Sequence, residues 1–150
     1  MALSIHSDEH YMREAMKQAQ MAFELDEIPV GAVIVANNQI IARSHNQTEV
    51  LNDPTAHAEM LAITAACNYL GTKYLNDCTL YVTLEPCGMC GGALYWSQIG
   101  KIVYAAPDLK RGFNTLNRNI IHPKTEVSNG IMADEASALV TGFFQKLRDK

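Results

Sequence analysis

The order His57-Ala58-Glu59, then Pro86-Cys87-Gly88-Met89-Cys90, restricts the folds open to this chain more than any other feature. An imidazole, two thiols and a carboxyl on two separated segments gain a joint chemistry only in a fold that brings those segments together. Zinc takes nitrogen and sulfur ligands, and three protein ligands leave a fourth position open to water. Water held there loses a proton near neutral pH and becomes a nucleophile. The expected metal ligands are therefore His57, Cys87 and Cys90, holding one Zn2+ per subunit, and Glu59 remains free to move protons.

The spacing also has local sense. Pro86 suits a first helical turn, where its missing N–H costs nothing. Cys87 and Cys90 then lie on one face of that turn, and the helix dipole favours both sulfurs as thiolates. Thr55 is a candidate N-cap for a second helix, with His57 and Glu59 in its first turn. Alone, C-x-x-C equally describes a redox pair or half of a structural zinc site. A structural site needs a fourth ligand, and Cys67, Cys78, His45 and His122 form no second C-x-x-C or H-x-H spacing. Cys67 and Cys78 read instead as small buried hydrophobes.

With 150 residues, 48% of them hydrophobic and 19% charged, the chain fits one domain over residues 1–150 with a proper core. No apolar run reaches membrane-spanning length. The N-terminus lacks the basic-then-apolar order of a secretory signal. Four cysteines with a metal-like pair point to a reducing compartment, so the expected location is the cytoplasm, with no membrane partner. A net charge of −4 argues against a broadly basic nucleic-acid surface. It leaves room for local patches at Lys110-Arg111 and at Lys146, Arg148 and Lys150.

Ser7 is a candidate cap for a first helix, in which Met12, Ala15, Met16, Ala19, Ala22 and Phe23 recur at helical spacing. Val30–Ala36 and Gln39–Ser44 read as strands joined by Asn37-Asn38, a pair that tolerates a hairpin turn. The segment from Ala56 to about Leu70 is predicted as the His57 helix. Thr79–Leu84 reads as a strand feeding the Pro-Cys helix, which runs to about Gln98. Ile102–Ala106 and Thr125–Ser128 read as further strands. Residues 108–124 show no clear pattern, and Pro123 breaks any helix there. The last helix carries Leu139, Val140, Phe143, Phe144 and Leu147 on one stripe facing the core. Strands alternating with helices predict an α/β fold, a mixed sheet covered on both faces, with its site at the carboxyl ends of strands.

H-x-E followed by P-C-x-x-C is the established signature of zinc-dependent nucleobase deaminases, so the match is to a known pattern. Around it, Glu27-Ile-Pro-Val-Gly-Ala-Val, Asp53-Pro-Thr-Ala-His-Ala-Glu, Thr79-Leu-Tyr-Val-Thr-Leu-Glu-Pro-Cys-Gly-Met-Cys and Gly130-Ile-Met-Ala-Asp-Glu extend the similarity over nearly the whole chain. The sequence resembles the bacterial tRNA-specific adenosine deaminases of the cytidine-deaminase-like superfamily. That resemblance implies a three-layer α/β/α cytidine-deaminase-like fold with a mixed central sheet of roughly five strands. It implies hydrolytic deamination of adenosine to inosine at the wobble position of a tRNA anticodon, by a homodimer acting on the anticodon stem-loop.

By the same resemblance His57, Cys87 and Cys90 are the zinc ligands and Glu59 is the proton-shuttling acid. Asn46 would hydrogen-bond the target base, Ile28 would wall its pocket, and Asp108 would lie near the anticodon backbone. On the mechanism itself, backbone N–H groups at Ala58 and near Cys87 are expected to hold the incoming water or base edge. Three stretches depart from the pattern. Tyr95-Trp96 stands where tRNA enzymes often carry Ile-His, and an aromatic pair there is also similar to free guanine deaminases. Lys110-Arg111-Gly112-Phe113-Asn114 replaces a Gly- and Ala-rich stretch, and the basic C-terminal extension is short. The competing functions are a free nucleobase or nucleoside deaminase acting on guanine or cytosine, and a non-enzymatic zinc or redox module.

Overall fold

The computed structural model describes residues 5–149. Five strands form one mixed sheet in the order β2-β1-β3-β4-β5, with four α-helices packed on its two faces. Helix α1 (Asp8–Glu24) starts where Ser7 Oγ accepts the His10 N–H at 3.1 Å, the capping that the sequence suggests. Strands β1 (Gly31–Ala36) and β2 (Gln39–His45) pair antiparallel through Asn37 and Asn38, which both adopt positive φ (52° and 59°). Asparagine tolerates that left-handed conformation, which the tight turn demands. The register slips between Ile34 and Val35, leaving Ile41 as a bulge.

β3 (Thr79–Leu84) joins β1 antiparallel and β4 (Lys101–Ala106) parallel, and β4 pairs parallel with β5 (Glu126–Asn129). Because side chains alternate across a strand, β1 feeds two cores. Ala32 and Ile34 meet Ala58, Ala62 and Ala66 of α2 (Ala58–Leu70) and Leu94 of α3 (Gly88–Ser97). Val33 and Val35 meet Tyr11, Met12 and Ala15 of α1 and Ala136 of α4 (Ala133–Arg148). The three-layer α/β/α arrangement follows from that alternation. α1 approaches β1 closely enough that a methyl group at Gly31 would overlap the Ala15 carbonyl and the Ala19 amide.

Several local expectations need correcting. His57, not Thr55, occupies the N-cap position of α2, and Thr55 instead gives its N–H and hydroxyl to Asp53 Oδ1, both at 2.8 Å. Pro86 lies one residue ahead of the α3 N-cap, which is Cys87. In α4 the stripe is only partly covered: Phe143 is buried, whereas Phe144 and Leu147 are 39% and 42% exposed. Between β4 and β5 the only helical turn among the described residues is a short 3-10 segment at Phe113–Thr115. No described helix is long and apolar enough to cross a membrane.

Candidate active site

The site forms where two helices begin. β3 ends at Leu84, and Glu85-Pro86 carry the chain to Cys87 at the start of α3, with Cys90 in its first turn. Opposite stands His57 at the start of α2, with Glu59 in that first turn. Residues at an N-cap usually turn their side chains back onto the helix. His57 and Cys87 do not, and both are free to face across the gap. His57 Nδ1 lies 3.5 Å from Cys90 Sγ and 3.7 Å from Cys87 Sγ. The three donor atoms all lie within 4.8 Å of one another. Zinc bonds of about 2.3 Å to sulfur and 2.0 Å to nitrogen give a tetrahedral N···S edge of about 3.5 Å. The donor set and its spacing fit the metal.

Electrostatics agree with that fit. Hydrogen bonding from Cys90 and from His57 pulls Cys87 down to about 4, so it is a thiolate at neutral pH. The bond to Cys87 raises His57, with further help from a contact to the Pro54 backbone. Cys90, fully buried, is driven upward by its bond to Cys87 and by burial. A divalent cation among these atoms would hold both sulfurs as thiolates. Glu59 is only 4% exposed, and burial pushes its carboxyl up to about 7. It stands beside Cys90 but outside the three-donor cluster.

The remaining sequence candidates fall around this centre. Ala58 is fully buried and its carbonyl accepts the Ser44 hydroxyl at 2.6 Å, which pins the start of α2 to β2. Asn46 follows β2 directly and donates its backbone N–H to Val30 O at 3.1 Å, while Gln47 beside it bonds Ala56 O at 3.0 Å. Asn46 is 6% exposed. Ile28, on the loop before β1, is 38% exposed. Asp108 uses Oδ1 to accept the Lys110 and Arg111 N–H groups at 3.1 and 3.0 Å, so it shapes its own loop. In the C-terminal cluster, Lys146 pairs with Asp26 at 3.0 Å and Arg148 bonds Gln145 at 2.7 Å, while Lys150 lies outside the described residues.

Two residues escaped the sequence reasoning. Glu27 and Glu85 are 1% and 4% exposed, and each holds a loop. Glu27 accepts the Glu49 and Val50 N–H groups at 3.0 and 2.8 Å and the Thr48 hydroxyl at 3.4 Å. Glu85 does the same for the loop after β4. The available signal was an acidic residue set beside a strand and one or two residues before a proline, at Glu27-Ile28-Pro29 and Leu84-Glu85-Pro86.

Residues 6–148 match the MafB19-like deaminase family. A tRNA-specific adenosine deaminase of Aquifex aeolicus is 47% identical over 94% of this chain and 96% of its own length. The chain belongs to the tRNA-specific adenosine deaminase family. A second such deaminase, from Bacillus subtilis, is 46% identical over 95% of this chain and 92% of its own. A structure from work on A-to-I editing by tRNA:A34 deaminases at the wobble position of transfer RNA matches with a TM-score of 0.82. It is 40% identical and covers 87% of this deaminase and 98% of the other chain. The guanine deaminase of Bacillus subtilis is similar over less of its length, with a TM-score of 0.65 and 44% identity covering 67% of this chain and 65% of that one.

Proposed function

We infer that this protein deaminates adenosine to inosine at the wobble position of a tRNA anticodon. The carrying observation is the convergence of His57, Cys87 and Cys90 beside a buried carboxyl, in a chain matched almost end to end by tRNA-specific adenosine deaminases. His57, Cys87 and Cys90 would hold the zinc, which would supply the acidity that makes water a nucleophile at neutral pH. Glu59 would accept one proton of that water and deliver it to the purine ring nitrogen, then take the proton left on the added hydroxyl and pass it to the amine, which leaves as ammonia while the ring C=O forms. Its half-ionised state near pH 7 suits both directions of transfer.

Asn46, directly after β2 and 6% exposed, reads the base edge, because an amide offers both donors and an acceptor. Ile28 walls the base pocket. Ala58 belongs to the first turn of α2, where N–H groups have no partner within the helix, and its N–H faces the water or base. A nucleotide in an anticodon loop is already outside a duplex, so presenting its base costs less than flipping a paired one. Asp108 arranges the loop that meets the anticodon backbone, and the exposed Lys110 and Arg111 meet phosphates there despite the acidic total. The protein works in the cytoplasm as a homodimer with one zinc per chain. Met89, Tyr95 and Trp96 on α3, the last 77% exposed, form an apolar surface suited to a second copy.

Free-base deamination is the second reading, favoured by the likeness to the Bacillus subtilis guanine deaminase and by Tyr95-Trp96. The tRNA relatives match over far more of the chain, which decides the order of the two. Ammonia release measured in parallel on an anticodon stem-loop, guanine, cytosine and adenosine separates them. Turnover of the stem-loop with inert free compounds is expected. Rapid guanine turnover with an inert stem-loop would overturn the tRNA assignment.

A further inference from the structure

Glu85 is a buried acidic residue that the deamination chemistry leaves unused. It sits between Leu84, the last residue of β3, and the Pro86-Cys87 step into α3. Its own N–H donates to Ala106 O at 2.9 Å, joining the end of β3 to the end of β4. Its two carboxylate oxygens divide their work. Oε1 accepts the Asp108 N–H at 3.0 Å, and Oε2 accepts the Asn114 N–H at 2.8 Å. One carboxylate therefore grips both ends of a single loop.

The interior of that loop is drawn to the same place. Gly112 donates to Asp108 O at 2.9 Å, and Phe113 donates to Pro86 O at 2.9 Å. Gly112 also makes an isolated antiparallel bridge to Cys87. Its φ of −63° is open to any residue, so conformational freedom does not explain a glycine there. Space does: a methyl group at Gly112 would overlap the Glu85 carboxylate. The loop closes around the carboxylate, and the same backbone leads within two residues to a metal-ligand position.

We propose that Glu85 is a positioning residue that sets the 108–114 loop, with Asp108, Lys110 and Arg111, in register with the metal cluster. It governs how substrate engages and leaves bond breaking to Glu59. The substrate part of this proposal rests on the tRNA reading above; the loop part does not. Glutamine cannot replace it, because the amide keeps one acceptor and turns a donor toward a backbone N–H.

The test uses the zinc-loaded full chain with Glu85→Gln, and Gly112→Ala as a second variant that displaces the same carboxylate without changing it. Zinc content should stay at the parent level. Amide hydrogen exchange at Asp108 and Asn114 should accelerate by about tenfold or more, with core strands unchanged. On an anticodon stem-loop, KM should rise about tenfold while kcat stays within about twofold. Adding Lys110→Ala/Arg111→Ala should then cost much less in the Glu85→Gln background than in the parent, because both changes act through one loop.

Unchanged exchange at Asp108 and Asn114, loss of zinc, a fall in kcat with constant KM, or full additivity would each overturn the proposal. If the parent does not process the stem-loop, the tRNA reading has failed, and the exchange measurement alone decides the role of Glu85.

Discussion

Replacing Glu59 by glutamine keeps size and shape while removing the ability to take up and release a proton. Glu59 is 4% exposed on the first turn of α2, and burial moves its carboxyl from 4.5 to about 7. At neutral pH an ordinary carboxyl is protonated in roughly 0.3% of molecules, whereas one at about 7 is protonated in about half, a roughly 150-fold gain in available acid. The same group is still about half ionised and able to act as base. General acid–base catalysis of this kind contributes about 10²–10⁴ in rate, and Glu59→Gln should lose an amount in that range. Because Glu59 stands outside the His57, Cys87 and Cys90 cluster, zinc content and folding should be unchanged. The assay pairs metal analysis and circular dichroism with ammonia release from an anticodon stem-loop. Turnover within about tenfold of the parent, with zinc and fold intact, would refute the proton-carrying role.

Three further outcomes follow from the same geometry. Cys87→Ala should lose zinc together with activity, whereas Cys67→Ala and Cys78→Ala should retain zinc; metal analysis of the three variants checks the ligand set. Removing the charges of Lys110 and Arg111 should weaken RNA binding, leave zinc untouched, and flatten the slope of log affinity against log salt by about 1.4, near 0.7 per single-strand phosphate contact. Hydrogen bonds from Lys17 and Arg43 hold Glu14 below its usual value of 4.5, so its contribution to stability is present above that value and fades as pH falls through the lowered one. Glu14→Gln should therefore flatten that part of the acid limb in denaturation curves measured across this range.

Residues whose role is written in local chemistry were legible in the sequence. The clustering of His57, Cys87 and Cys90, the Asn37-Asn38 hairpin and the strand leading into the Pro-Cys helix all depend on spacing and residue type over short stretches. What escaped depends on long-range placement. A charged residue beside a proline gives no sign that it will be buried, so Glu27 and Glu85 became visible only once loops distant in sequence closed over them. The constraint on Gly112 is of the same kind: a carboxylate from 27 residues earlier, against which Asp108 and Asn114 also close. The α4 stripe was found correctly as an apolar face. Helical periodicity does not say how far the sheet extends beneath it, and Phe144 and Leu147 lie beyond its cover. Nor does the sequence show that Lys146 pairs with Asp26 and lies over the face of Phe23, its nitrogen 5.1 Å from the ring centroid.

The central claim is that this buried Glu59 and three-donor cluster convert one adenosine of an anticodon loop to inosine. Its most direct test is mass spectrometric mapping of an anticodon stem-loop carrying adenosine at the wobble position, after incubation with the zinc-loaded protein and with Glu59→Gln in parallel. The account predicts a single inosine at that nucleotide with the parent and essentially none with the variant. An unmodified stem-loop beside efficient conversion of free guanine to xanthine would contradict it.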